Sequence, residues 1–164
     1  MGVRQRATAA GGMSITIEPA TVADLPAIAA IEAEAFSDPW SEQSFRDAMD
    51  HPAVYFACAR RDGGEVDGYV VAWFAADQGE IANLAVAPAT WGLGTGKALL
   101  DGALDAAAQQ GIEAVYLEVR DSNDRARRLY QSRGFEEVGR RRGYYRHPDE
   151  DAIVLRRSLS PVNT

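Results

Sequence analysis

The sequence predicts an α/β (α+β) fold: a mixed, mostly antiparallel sheet of about seven strands covered by about four helices. Three observations carry this prediction. The segments "AVYFACARR" and "VDGYVVAWFAA" are rich in β-branched and aromatic residues and are separated by the turn signal "DGGE", so they read as a hairpin. A strand, a helix, a strand and a helix then follow in the middle of the chain, which beside antiparallel hairpins implies a mixed sheet. Two more strand-like segments, "FEEVGRRRGYYRH" and "DAIVLRRSL", close the chain.

Each element has its own signal. "SITIEP" sets Ile15 and Ile17 against polar neighbours and stops at Pro19, a short strand. "TVADLPAIAAIEAEAF" opens on Thr21 as N-cap with Asp24 at the capping-box position, and Leu25, Ile28, Ile31 and Ala35 recur at helical spacing. Pro26 fits the first turns of that helix. "SDPWSEQSFRDAM" breaks at Pro39 and restarts at the cap Ser41 as a short second helix bearing Phe45 and Met49. After the hairpin, "GEIANLAVAP" is a third sheet strand ended by Pro88. "GKALLDGALDAAAQQG" puts Ala98, Leu99, Gly102, Leu104 and Ala106 largely on one side of a helix that Gly111 stops in the left-handed region. "IEAVYLEVR" is a strand, and "DSNDRARRLYQSRG" a helix capped by Ser122 or Asn123 and ended by Gly134. Residues 13–160 are thus one domain, with Met1–Gly12 expected as a mobile tail and Met13 as a candidate start.

Composition narrows the function classes. A length of 164 residues suits one domain with a single sizeable core. A formal charge of -7, from 24 acidic and 17 basic residues, argues against a general binder of nucleic acid or anionic membrane and suits a cytoplasmic protein. Cys58 is the only cysteine, so no internal disulfide forms, and with two histidines no Cys/His zinc site is expected. No apolar leader segment follows Arg4 and Arg6, and no run of uncharged apolar residues is long enough to span a bilayer. Arg6 also counts against a myristoylation signal at Gly2.

The stretch "WGLGTGKALL", Trp91 to Leu100, places Gly92, Gly94 and Gly96 at alternate positions where a helix begins. It is not a P-loop, because Trp91 stands five before Gly96 and Ala98 follows Lys97 where a Ser or Thr is needed. It is not a dinucleotide fingerprint either, because the third glycine falls at 96 rather than 97. Two readings stay open: free N–H groups at Leu93 to Ala98 cradling a pyrophosphate without metal, or glycines serving a sharp turn and close helix packing. Lys97, the only lysine, sits at a helix start that the macrodipole disfavours for a cation, which favours an anion there.

With "NLAVAP" before this loop, "LEVRDSNDRARRLYQSRGF" after it and "RRRGYYRHPDEDAIVL" at the end, the chain from Ile15 to Leu159 resembles the GNAT superfamily of N-acetyltransferases. "DPWS" at Asp38 to Ser41 and "GYY" near Tyr145 are similar to the bacterial ribosomal-protein-alanine N-acetyltransferases, the RimI type. The resemblance implies acetyl-CoA as cosubstrate, no metal, and a GNAT-like sheet that splays beside Leu84 to Val86 to admit pantetheine. By the same resemblance, a main-chain N–H among Leu84, Ala85 and Val86 supports the oxyanion, Trp91 to Ala98 hold the pyrophosphate, and Asn123 and Arg128 complete the cofactor contacts. Within that span the positions are Trp91, Gly92, Leu93, Gly94, Thr95, Gly96, Lys97 and Ala98. One departure stands out: Trp91 occupies a place where the family usually has Gln or Arg.

Acetyl transfer to an amine needs a neutral amine, support for the developing oxyanion and a proton for the departing thiolate. An α-amino group, with a reference pKa of about 7.7–8.0 against about 10.4 for lysine, needs only a modest base. In "VYLEVR", Glu118 shares a strand face with Tyr116 and Arg120, opposite Val115, Leu117 and Val119. From pattern alone Glu118 is either such a base or half of a salt bridge with Arg120 or a helix arginine, and Tyr130 either a reacting group or a core aromatic. The resemblance implies Glu118 as general base and Tyr130 as general acid.

Arg140 to Arg142 and Arg146 form a basic cluster beside Tyr144 and Tyr145, either a solvated strand edge or the border of a substrate groove. The resemblance implies a groove for a peptide amino terminus, with Trp40, Tyr145 and Glu34 as wall or rim groups. The implied partner is the N-terminal alanine of a small ribosomal subunit protein, with no nucleic acid or membrane and a monomer as the default state. Acetylation of lysine side chains or small-molecule amines, and a non-catalytic acyl-CoA-binding regulator, are the alternatives. The presence of both Glu118 and Tyr130 favours the enzyme.

Overall fold

The computed structural model describes residues 5–8 and 14–159. Among the described residues, eight strands form one sheet in the order β1-β2-β3-β4-β5-β6-β8-β7. They are β1 (Gln5–Thr8), β2 (Ser14–Pro19), β3 (Val54–Arg61), β4 (Val66–Ala75), β5 (Gln78–Val86), β6 (Ala114–Arg120), β7 (Glu136–Tyr145) and β8 (Glu150–Ser158). The helices among the described residues are α1 (Leu25–Ala35), α2 (Glu42–Met49), α3 (Thr95–Gln109) and α4 (Asp124–Ser132). The expected order of strands and helices is the observed one, with one addition. Gln5–Thr8, inside the expected tail, pairs antiparallel with β2, and the rest of Met1–Gly12 lies outside the described residues.

Local chemistry sets the element ends. The Thr21 amide donates to Asp24 Oδ2 at 2.8 Å and the Thr21 hydroxyl donates to the same oxygen at 3.0 Å, closing a short 3-10 turn that runs into α1. Ser41 caps α2 by accepting from the Ser44 amide at 3.1 Å, and Asn123, rather than Ser122, caps α4 by accepting from the Ala126 amide at 3.1 Å. Asp62 (φ 49) and Gly63 (φ 73) are consecutive left-handed residues that reverse the chain between β3 and β4.

All strand pairs are antiparallel except β5 with β6, which α3 connects as a crossover. That parallel pairing is short. It runs from Gln78–Ala114 to Ile81–Leu117 and stops, although β5 continues to Val86 and β6 to Arg120. Just there β5 bulges: Val71 of β4 faces Asn83 while Ala72 faces Ile81, leaving Ala82 as the extra residue. The two central strands therefore part in the middle of the sheet, and beyond Ile81 and Leu117 the facing edges of β5 and β6 no longer pair with each other.

Two cores sit on opposite faces. Leu99, Leu100 and Leu104 of α3 pack with Val70, Ala72, Leu117, Ile153 and Leu155, and Tyr130 of α4 joins them. Leu25, Ile28 and Ile31 of α1 and Phe45 of α2 pack with Cys58, Tyr69, Val71 and Ala85. Gly68 lets α3 lie close on β4, since a Cβ there would stand 2.9 Å from the Ala85 carbonyl oxygen and 3.0 Å from Leu99 Cδ1. The helices hold the parted strands from both sides, so each face of the gap opens into its own cleft.

Candidate active site

On the α3/α4 face a cleft of about 690 Å³ runs from the end of β5 over the glycine loop. Gly92 (φ 84) and Gly94 (φ 88) are left-handed, whereas a Cβ on Gly96 would press Leu129 Cδ2 at 3.3 Å. Turn formation and helix packing therefore account for the glycines, and they also leave the start of α3 bare. The Ala98 amide donates to the Gly94 carbonyl at 3.0 Å as the first helical bond, so the amides of Thr95, Gly96 and Lys97 precede it. At the far end of the expected cradle, Ala98 is buried, its amide is engaged, and it does not line the cleft. Thr95, 1% exposed, carries a buried hydroxyl without a hydrogen-bond partner. These amides, this orphaned hydroxyl and the open space beside Gly92 and Gly94 fit a diphosphate group.

The wall of the same cleft is the free side of β5. The Ala87 amide donates to Asp67 O at 2.7 Å, towards β4. Alternation then turns the N–H and C=O groups of Leu84 and Val86 to the parted side and those of Ala85 towards β4. Consistent with this, the Val86 carbonyl accepts the Trp91 indole N–H at 2.9 Å. Of the expected cosubstrate residues, Leu84 to Val86, Trp91 to Lys97 and Asn123 all line the cleft. Arg128 does not; Arg125, one turn earlier on α4, does.

On the α1/α2 face a second cleft, of about 640 Å³, is walled by the segment joining α1 to α2 and by the β7–β8 hairpin. Glu118, Trp40 and Tyr145 line it. Glu34 does not; it lines the first cleft. The Glu118 side chain is 19% exposed and pairs with Arg141 Nε at 3.1 Å, not with Arg120 or a helix arginine. Tyr144 is hydrogen-bonded to Glu118, which holds the Tyr144 hydroxyl above its ordinary pKa. Tyr145 is pushed up to about 12, first by burial and then by the Glu118 charge.

Tyr130 lines both clefts. It is 7% exposed, meets Phe135 edge to face at 5.6 Å, and its hydroxyl is held well above the usual phenol range by burial first and by Tyr145 second. That hydroxyl stays protonated throughout the neutral range and has a proton to give. Leu84, Asn123 and Ala126 border both clefts beside it, so the two openings meet at the parted strands.

Besides Arg125, two site features were not anticipated from the sequence. Glu32, 1% exposed, accepts from the Trp40 amide at 2.9 Å, from Asn83 Nδ2 at 3.1 Å and from the Tyr69 hydroxyl. It thereby ties the wall segment to the bulged strand. The carboxylate can only accept, which fixes the Asn83 amide with Nδ2 towards it and leaves Asn83 Oδ1 buried and unpartnered. A sequence signal existed, since Glu32 lies four residues after Ile28 and seven after Leu25, on the buried stripe of α1. The second is Arg120, which donates to Ser37 Oγ at 3.1 Å, Arg146 O at 2.7 Å and Pro148 O at 2.9 Å. It clamps both walls of the second cleft, and its guanidinium lies 4.6 Å from the centre of the Tyr145 ring.

Comparison with known proteins agrees with this geometry. The sequence pattern of the acetyltransferase (GNAT) family matches residues 25–135. The chain is similar to the [ribosomal protein bS18]-alanine N-acetyltransferase of Escherichia coli K12, 35% identical over 147 residues that cover 88% of this chain and 98% of that protein. It is similar also to the N-alpha-acetyltransferase RimI of Mycobacterium tuberculosis, 39% identical over 149 residues, 87% of this chain and 92% of that one. The crystal structure of the E. coli ribosomal-protein-S18-alanine N-acetyltransferase superposes with a TM-score of 0.83 at 32% identity, covering 91% of this chain and 96% of that chain.

Proposed function

The chain belongs to the acetyltransferase (GNAT) family and is an acetyl-CoA-dependent acetyltransferase, and on that premise we propose that its acceptor is the α-amino group of a protein N-terminus, by preference the N-terminal alanine of a ribosomal protein. The observation that carries this reading is the meeting of two clefts at the parted strands, with Glu118 in one and Tyr130 in both. The similarity to bS18-alanine acetyltransferases supports the finer choice of acceptor.

Acetyl-CoA supplies an activated thioester acyl group. The Thr95, Gly96 and Lys97 amides hold its diphosphate, and the free amides of Leu84 and Val86 receive its pantetheine arm and thioester carbonyl. Trp40 and Tyr145 flank the arriving peptide end in the second cleft. Glu118 takes a proton from the amine at a carboxylate oxygen, and to be free for this it must give up Arg141, whose side chain is 60% exposed and easily moved. Tyr130 holds a proton on Oη for the departing sulfur. The choice of an α-amine has a thermodynamic side. Its reference pKa is about 2.5 units below that of lysine, so neutralising it at a given pH costs roughly 3.4 kcal/mol less.

Both clefts belong to one chain, so a monomer suffices, and neither nucleic acid nor a metal enters the reaction. The acceptor would be met in the cytoplasm. The test is release of free thiol from acetyl-CoA with peptides differing only at their first two residues, beside a blocked-N-terminus peptide containing lysine. Transfer to free Ala-starting peptides with none to the blocked one is the expected result. The reverse pattern moves the acceptor to lysine side chains, and binding of acetyl-CoA with no transfer to any amine leaves only an acyl-CoA-binding regulator.

A further inference from the structure

Trp91 and Arg125 form a pair at the mouth of the first cleft that the transfer chemistry leaves unused. Trp91 is 47% exposed, an uncommon exposure for an indole, yet it is held in place because its N–H donates to Val86 O at 2.9 Å. Its ring carries the Arg125 guanidinium 3.7 Å from the centroid. Among the described residues no carboxylate lies within ion-pair distance of Arg125, whereas Arg120, Arg127, Arg133 and Arg140 are each paired with one. Arg125 also stands in the first turn of α4, where the helix dipole disfavours a cation. In a chain with 24 acidic and 17 basic residues, a fixed guanidinium without an acidic partner is left with donors to spare. Stacking on a ring occupies the face of a guanidinium and leaves its edge N–H groups free for bidentate contact with a phosphate. Arg125 and Lys97 are the cationic side chains lining this cleft, the cleft that the bare start of α3 faces.

We propose that Arg125, held flat on Trp91, binds a phosphate group of the cosubstrate. This rests on the acetyl-CoA reading of the cleft. The group is either the diphosphate or the ribose 3′-phosphate, which share one chemistry and differ in one ligand. Calorimetric titration of CoA and of 3′-dephospho-CoA into the wild type and Arg125→Ala separates them. Loss of one bidentate, charge-assisted contact weakens CoA binding about tenfold. If the contact is to the 3′-phosphate, the loss appears with CoA alone; if it is to the diphosphate, both ligands lose equally. Arg125→Lys keeps the charge without the planar fork and falls between. Trp91→Ala should weaken binding in the wild type and add nothing in Arg125→Ala, because the ring acts by holding the guanidinium. Equal affinities of wild type and Arg125→Ala for both ligands would overturn the proposal and leave the acetyltransferase reading intact. A wild type that binds neither ligand would overturn both.

Discussion

Replacing Glu32 with Gln tests the link between a buried carboxylate and the acceptor wall. The substitution keeps size and shape and removes one accepting oxygen of the two that now take the Trp40 amide, Asn83 Nδ2 and the Tyr69 hydroxyl. If the remaining oxygen keeps Tyr69, the new amide meets the Trp40 N–H donor to donor. Asn83 can turn its unpartnered Oδ1 to the new amide, but its own Nδ2 then loses its acceptor. Hydrogen bonds to a charged group contribute about 1.5–3 kcal/mol each, and an opposing gain comes from no longer burying a charge that has no cation within ion-pair distance among the described residues. The balance is a loss of about 2–4 kcal/mol from a total that is roughly 5–15 kcal/mol for a domain of this kind. Urea unfolding at pH 7 measures it, with Tyr69→Phe and the double variant completing a cycle whose coupling should exceed about 1 kcal/mol. Steady-state kinetics adds a second readout, because loosening the Trp40 segment should raise KM for peptide and spare KM for acetyl-CoA. A Glu32→Gln protein as stable as the wild type, with unchanged peptide KM, would show that this carboxylate does not hold the acceptor wall.

Further outcomes concern chemistry and acid stability. Glu118→Gln should lower turnover by one or more orders of magnitude while acetyl-CoA still binds, checked by stopped assays and calorimetry side by side. Tyr130→Phe should lower the rate without unfolding the domain; an unaltered pH–rate profile would remove Tyr130 from its role. Asp24, Glu150 and Asp151 are all held below their ordinary values. For Asp24, burial pulls upward but the Thr21 amide and Arg60 outweigh it; for Glu150 the leading cause is hydrogen bonding from Ser122; for Asp151 it is the Gly143 amide. A depressed folded pKa stabilises the fold in full above the unfolded value, about 4, and the contribution is lost as pH falls through the lowered folded values. The urea midpoint should therefore drop steeply below pH 4 and hold flat from pH 5 to pH 7; a midpoint that does not fall in acid would contradict these assignments.

Periodicity and turn chemistry were enough to place the elements from "SITIEP" to "DAIVLRRSL", because each is set by residues within a few positions of itself. The caps Thr21, Ser41 and Asn123 are likewise local. What depends on distant partners was not legible. Pairing of Gln5–Thr8 with β2 is such a case, as is the bulge at Ala82 that accompanies the parting of β5 from β6. Helix rotation decides which cleft the remaining expected residues face. Glu34 and Glu32 lie about 200° apart around α1, and the stripe of Leu25, Ile28 and Ile31 sends Glu32 inward to the acceptor wall and leaves Glu34 at the other cleft. Arg125 and Arg128 stand one turn apart on α4, and only the seating of that helix beside Trp91 brings the former to the loop. Strand alternation puts Glu118 on a face with Tyr116 and Arg120, but its partner Arg141 comes from β7, across β8, which no spacing in the sequence records.

We propose that the bare amides at the start of α3 receive the cosubstrate and so direct its acyl group to the gap beside Glu118. Amide NMR of the full chain titrated with acetyl-CoA tests it most directly. Large, saturable shifts are expected at Thr95, Gly96 and Lys97, accompanied by Leu84 and Val86 on the free edge of β5, with little change at Ala98, whose amide is already bonded to Gly94. Saturation with acetyl-CoA that leaves Thr95 to Lys97 unmoved would contradict it.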